Sequence, residues 1–232
     1  MNDELDMVYL MAQISHEIRT PLNGIKGFGE LLLDESIGQL NDVQKKYLTK
    51  MLDSTEKLSQ IVERVLDWAK LESKQSQLSI EEVQLNYLLW EVVELLSQKA
   101  EQKNITLVLN ASETIILDAD SGRVREIIIN LVDNSLKYTP SGGRVELTAE
   151  TKGDKLLLSV KANGYGIPPN QMKRLFQPFS YGAKRIANEV SSGLGLWICK
   201  LLVEMHQGSI WAESQEGEGS CFYVSLPLHQ PA

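Results

Sequence analysis

The chain has 232 residues, 43% hydrophobic and 23% charged, which gives one or two globular domains with room for one sizeable core and excludes several modules in series. Acidic residues outnumber basic ones 31 to 23, a net charge of −8, and no long Lys/Arg run interrupts that balance, so generic binding to nucleic acid or an anionic membrane surface is excluded as a first reading. The two cysteines, Cys199 and Cys221, stand outside any Cys/His cluster, which argues against a disulfide framework or structural zinc and for a reducing compartment.

The opening stretch carries acids where a signal peptide has bases, and no apolar run approaches the roughly 18 residues that span a bilayer, so any membrane anchor or sensor is expected in regions absent from this sequence. From there a helical repeat dominates. Met7, Met11, Ile14, Ile18, Pro21, Ile25, Phe28 and Leu32 alternate spacings of four and three, the seam of a packed helix. After a break at Ser36-Ile37-Gly38 the rhythm returns in Leu48, Met51, Thr55, Leu58, Val62, Val65 and Ala69, widened by Leu52, Ile61 and Leu66 to the width of a four-helix bundle. Two helices cannot bury such faces alone. The pattern predicts a dimer in which two hairpins make four helices; a hairpin packed on the rest of its own chain is the alternative.

Past a polar linker at 74–77 the texture changes. Strands are predicted at 78–83, 105–110, 114–118, 144–151, 155–161, 209–213 and 221–226, with helices near 85–102, 121–137, 170–176 and 194–206. The second half therefore reads as an α/β domain with helices on one side of a mixed sheet, and the boundary falls at 75/76.

Within the first repeat, His16 lies two residues from both Ile14 and Ile18, about 200° around the helix from each, and must face away from the seam. Glu17 is adjacent, Thr20 shares its face one turn on, and Pro21 is expected to kink the helix there. Taken alone, this is also how a solvated helix face looks. The run Ile14-Ser15-His16-Glu17-Ile18-Arg19-Thr20-Pro21-Leu22, however, resembles the H-box of sensor histidine kinases of two-component systems. The resemblance implies that His16 accepts the γ-phosphoryl of ATP and passes it to an aspartate on a response-regulator receiver domain, which requires a neutral imidazole with a free lone pair. It gives Glu17 the ring proton to hold or remove, and Thr20 the placing of water for phosphatase action.

Four further segments resemble the ATP-binding domain of the same family, the Bergerat-type two-layer α/β fold shared with DNA gyrase and some heat-shock chaperones. In Asn130-Leu131-Val132-Asp133-Asn134-Ser135-Leu136-Lys137-Tyr138-Thr139-Pro140, like the N-box, Asn130, Asn134 and Lys137 share one helical face. The resemblance makes Asn134 the Mg²⁺ ligand, places Asn130 and Lys137 near the phosphates and Tyr138 near the nucleotide. Asn163-Gly164-Tyr165-Gly166-Ile167-Pro168 is similar to the G1 box, where glycines let the backbone approach a base. Leu175-Phe176-Gln177-Pro178-Phe179 is similar to the F-box, and Ser192-Gly193-Leu194-Gly195-Leu196 to the G2 box, whose Gly193, Leu194 and Gly195 open a helix towards the phosphates. Residues 180–191 between them read as an ATP lid, with Lys184 and Arg185 available to the γ-phosphate, and Gly217-Glu218-Gly219-Ser220 fits a terminal glycine turn. The resemblance extends from about residue 10 to 228, and it implies a cytoplasmic output core of a longer receptor that uses ATP and Mg²⁺ and forms a homodimer through residues 1–75.

One residue departs from the family. The aspartate that opens the G1 box and accepts a hydrogen bond from the adenine amino group is here Ala162. Losing a hydrogen bond to a charged partner costs about 1.5–3 kcal/mol, roughly ten- to 150-fold in affinity, and Asn163 points to the opposite face of the strand. Weakened ATP binding is expected. Deliberate replacement and natural decay towards a pseudokinase both give this pattern, and the alternative function is a phosphoacceptor, phosphatase or dimer scaffold without efficient ATP use. His206 before Gln207-Gly208 is expected to be structural, at a helix C-terminus that favours a polar or cationic group. Trp68, Trp90, Trp197 and Trp211 are expected to pack cores.

Overall fold

Continuous apolar stripes and a lack of strand signals fold the first unit, Met1–Ser76, as α1 (Asn2–Leu33) and α2 (Asp42–Glu72), in a computed structural model that describes residues 2–72, 77–111, 114–178, 180 and 193–229. The reversal between them is built from side chains. Glu35 takes φ 56°, and its carboxylate accepts from the Leu40 N–H at 2.8 Å and pairs with Lys45 at 3.0 Å. Those two donors hold its carboxyl below the usual carboxylate range. Asn41 and Gln44 then exchange backbone-to-side-chain bonds, each 2.9 Å, a reciprocal cap that starts α2.

The helices meet along Ser15, Leu22 and Gly29 on α1 and Thr55 on α2, all buried, and at Gly29 an added Cβ would stand 2.7 Å from a Leu52 methyl. On α1 that line lies one residue past the predicted seam positions Ile14, Pro21 and Phe28, whereas Thr55 on α2 is a predicted seam residue and is buried as expected. Ile14, Ile25 and Phe28 remain 41%, 42% and 71% exposed, and Met51 and Leu58 on α2 are exposed as well. One hairpin thus closes around Ser15, Leu22, Gly29 and Thr55 and leaves part of the wide apolar stripe exposed. α1 also continues as one helix through Pro21.

The second unit, Gln77–Ala232, contains β1 (Glu81–Gln84), α3 (Leu85–Gln102), β2 (Thr106–Asn110), β3 (Ile116–Ala119), α4 (Ser121–Lys137), β4 (Arg144–Lys152), β5 (Lys155–Ala162), α5 (Pro169–Met172), α6 (Gly195–Met205), β6 (Ser209–Gln215) and β7 (Gly219–Pro227). Five strands form a mixed sheet in the order β2-β4-β5-β7-β6, parallel only between β2 and β4. β1 and β3 do not join it. They pair antiparallel as a separate two-stranded sheet, a division that strand periodicity cannot reveal because it fixes which face is apolar and not which strand is the neighbour. The helix predicted at 170–176 shrinks to the single turn of α5.

Strands β4, β5 and β7 alternate buried and more open residues, and their inward sets (Leu147, Leu158, Val160, Phe222 and Val224 among them) meet the apolar faces of α4 and α6, while α3 packs on β2 and α4. The result is a two-layer sandwich with all its long helices on one side.

Candidate functional site

On α1, His16, Glu17 and Thr20 are exposed above buried Ser15 and Leu22. The Thr20 hydroxyl donates to the His16 carbonyl oxygen at 3.2 Å, one turn back. Pro21 has no N–H to offer the Glu17 carbonyl, so the helix is thinned of backbone bonds beside the imidazole. Arg19 reaches across to Glu63 on α2 at 3.8 Å. An exposed imidazole on a helix surface can present a ring nitrogen as a nucleophile.

In the second unit the site grows from the anchoring of α4. Asp120 caps that helix by accepting from the Arg123 N–H at 3.0 Å, takes the Ser79 N–H on its other oxygen at 3.0 Å, and sends its own N–H to His206 Nε2 at 3.2 Å. Because that N–H can only donate, Nε2 accepts, the ring proton sits on Nδ1, and Nδ1 donates to the Leu202 carbonyl at 2.7 Å. His206 is fully buried, and burial pushes its pKa below the ordinary value against the raising effects of the Leu202 bond and the Asp120 charge. It is therefore a neutral latch between α6 and α4, and the cationic role at a helix end is not the one it fills.

Asn130 and Asn134 lie half-buried on one face of α4, while Lys137 is 9% exposed with its ammonium 5.6 Å from the centre of the Tyr138 ring. The chemistry of this donor set fits Mg²⁺ only in part. The Asn134 amide carbonyl is the hard oxygen such an ion prefers, and among the described residues no cluster of His, Cys, Asp or Glu could hold a metal, so further oxygens would come from nucleotide phosphates.

Ala162 ends β5 between Val145 and Ser220, its methyl 5% exposed on the same strand face as Leu158 and Val160. Asn163 faces the other way and is occupied: its Oδ1 accepts from the Arg144 N–H at 2.6 Å. The next residues wrap tightly. A Cβ on Gly164 would sit 2.4 Å from the Tyr138 carbonyl oxygen, and Gly166, at φ 69°, brings its Cα so near Gln215 that a Cβ would sit 2.1 Å from that carbonyl. Gly193 is left-handed at φ 68°, Leu194 is fully buried, and Gly195 opens α6. Lys184, Arg185, Ser192, the F-box Phe179 and the rest of the predicted lid except Ser180 lie outside the described residues.

A crevice of about 280 Å³ opens at the C-terminal end of α4, lined by Asn104, Lys137, Thr139, Ser141 and Tyr165 among others. It shares only Lys137 with the residues expected to hold nucleotide. Of the tryptophans, Trp90 is 59% exposed and Trp211, at 37%, stacks on Tyr223 with centroids 5.1 Å apart, so neither is a core residue; the buried Trp197 indole N–H has no hydrogen-bond partner among the described residues. The side chain of Trp68 is outside the described set. Sequence reasoning also passed over Ser214 and the Asp120–His206 latch, since a serine in a strand and an aspartate before a helix carry no mark of their distant partners.

Residues 6–74 match the His Kinase A (phospho-acceptor) domain, and residues 119–230 the histidine kinase-, DNA gyrase B- and HSP90-like ATPase family. The circadian input-output histidine kinase CikA of Synechococcus elongatus is 34% identical over 221 residues, covering 94% of this chain and 29% of that protein. The full-length structure of ShkA in complex with AMPPNP superposes with a TM-score of 0.83 at 32% identity, over 97% of this chain and 47% of that one. The catalytic domain of the histidine kinase ThkA gives a TM-score of 0.59 at 30% identity, over 66% of this chain and 98% of that domain. ThkA in complex with the response regulator TrrA gives a TM-score of 0.67 at 27% identity, over 98% of this chain and 64% of that one. The chain spans 29% and 42% of the length of the first two curated relatives it matches.

Proposed function

The chain belongs to the histidine kinase family, and on that premise we propose that it is the catalytic core of a two-component sensor, phosphorylating His16 from ATP and passing the phosphoryl group to a receiver-domain aspartate. Residues 1–75 form the dimerisation and phosphotransfer domain and residues 76–232 the ATP-binding domain. The observation that carries the reading is His16, exposed on α1 inside the stretch that matches a phospho-acceptor domain. Its ring nitrogen attacks the γ-phosphorus, the bond to the bridging oxygen breaks, and Glu17 takes the ring proton. Asn130, Asn134 and Lys137 orient the polyphosphate from α4, joined by Lys184 and Arg185, and Mg²⁺, held by Asn134 when bound, supplies charge neutralisation. Gly164, Gly166, Gly193, Leu194 and Gly195 shape the cleft, and Tyr138 flanks the nucleotide. The AMPPNP bound by ShkA and the response regulator bound by ThkA support the substrate and the partner. Among the described residues no helix is long and apolar enough to cross a membrane, and the core is assigned to the cytoplasm, with a sensor or membrane anchor elsewhere in a longer protein.

Ala162 weakens this activity. Its methyl offers adenine no acceptor, and Asn163 is committed to Arg144. Ala162→Asp is expected to tighten ATP binding by roughly ten- to 150-fold, the worth of a charged hydrogen bond; an unchanged dissociation constant in a calorimetric titration refutes the assignment. The same residue favours a second reading, in which the chain serves as a phosphoacceptor, phosphatase or dimer scaffold. Acid-labile label on His16 from labelled ATP supports the kinase, and no label at millimolar ATP supports the scaffold.

A further inference from the structure

We infer that Ser214 is a positioning residue for the nucleotide cleft: through one hydroxyl it fixes the glycine loop 164–167 to the turn between β6 and β7. The inference rests on the kinase reading above. The Ser214 hydroxyl accepts the Ile167 N–H at 2.8 Å and donates to the Gly219 carbonyl at 2.6 Å, so both of its hydrogen-bonding capacities join the two segments. The rest of the contact is backbone. Gly217 N–H donates to the Tyr165 carbonyl at 2.8 Å, and Tyr165 N–H donates to the Tyr138 carbonyl at 3.1 Å, so the loop is held between the turn on one side and the end of α4 on the other. A Cβ on Gly219 would stand 2.1 Å from the Ala162 carbonyl oxygen, which puts the same turn against the strand end that precedes the loop.

Ser214 joins loop exit and turn by a side-chain bond and lies half-buried on β6, so its removal leaves the strand ladder to Ser220 intact. Without the hydroxyl the Ile167 amide loses its acceptor, and the loop loses the tie on its C-terminal side while keeping those at Tyr165. On the kinase reading it is the base of the nucleotide that this loop approaches. Ser214 therefore governs how tightly ATP binds more than how fast the bound phosphoryl moves.

The test compares the whole chain with Ser214→Ala and Ser214→Thr. In Ser214→Ala, hydrogen exchange at Ile167 speeds up while exchange in the centres of β6 and β7 is unchanged, the ATP concentration for half-maximal labelling rises about three- to tenfold, and the rate at saturation holds. Ser214→Thr, which keeps the hydroxyl, restores both. Unchanged protection at Ile167, a uniform loss of protection along β6 and β7, or failure of the threonine to restore either property overturns the inference. If the unaltered chain takes no label from ATP, the kinase reading fails, and the exchange comparison still decides the role of Ser214.

Discussion

At the scale of single residues, two side chains set limits that can be measured. His206 is neutral, buried and bonded at both ring nitrogens, and burial lowers its pKa. A folded state that refuses a proton the unfolded state accepts loses stability as pH falls below the ordinary histidine value of about 6.5 and keeps losing it down to the folded value. The unfolding temperature of the ATP-binding unit is expected to drop between pH 7.5 and pH 5.5, and His206→Asn to unfold at a lower temperature at pH 7.5 with a shallower pH slope, as followed by circular dichroism. Gly164 sets a steric limit. An added methyl 2.4 Å from a backbone oxygen has nowhere to go unless the loop or the end of α4 shifts, so Gly164→Ala is expected to abolish measurable nucleotide binding while α1 and α2 keep their helical signal.

At the scale of elements, α3 and α4 were legible to their ends. Both carry apolar faces of the right period, and α4 adds an aspartate cap at its start and Lys137 in its last turn. The glycine loop was legible as residue types but not as a contact, because nothing in Asn163–Pro168 names Gln215 or Tyr138 as the surface it must fit. The spacing of Asn130, Asn134 and Lys137 gave a common face, yet the ammonium of Lys137 lies over its neighbour's ring, a rotamer choice that spacing does not determine. α1 carries its own prediction. Gly24 and Gly27 lie in a helix interior where an added Cβ meets nothing within 4 Å, so each glycine costs backbone entropy without a steric reason. Gly24→Ala and Gly27→Ala are each expected to stabilise the hairpin by about 0.5–1 kcal/mol in thermal unfolding; a loss instead would reveal another surface packed there.

At the scale of the whole molecule, the seam read from the sequence and the contact found in one hairpin differ by a residue on α1, and the difference is informative. Apolarity marks Ile14 and Phe28 on α1, and the single chain buries their neighbours Ser15 and Gly29 instead, while Thr55 on α2 is buried where the seam expects it. A stripe containing Ile14, Ile25 and Phe28 has the character of a core with its other half missing. On the proposed dimer, Ile25→Glu with Phe28→Glu is expected to convert a dimer to a monomer in sedimentation velocity, leaving the ATP-binding unit folded; a double variant that still sediments as a dimer removes residues 1–75 as the interface.

The sheet order has a consequence for how the protein is made. Ala162 is paired with Val145 on one side and with Ser220 on the other, and the glycine loop is roofed by the turn at 215–219. Synthesis delivers Ser220 and that turn only after Ala162 and its loop. The hairpin that bears His16 is translated before β7, whereas β5 gains its second neighbour only once β7 has been released and inserted between β5 and β6. On the proposed function, a chain stalled or cut before β7 presents His16 without a completed nucleotide cleft to charge it.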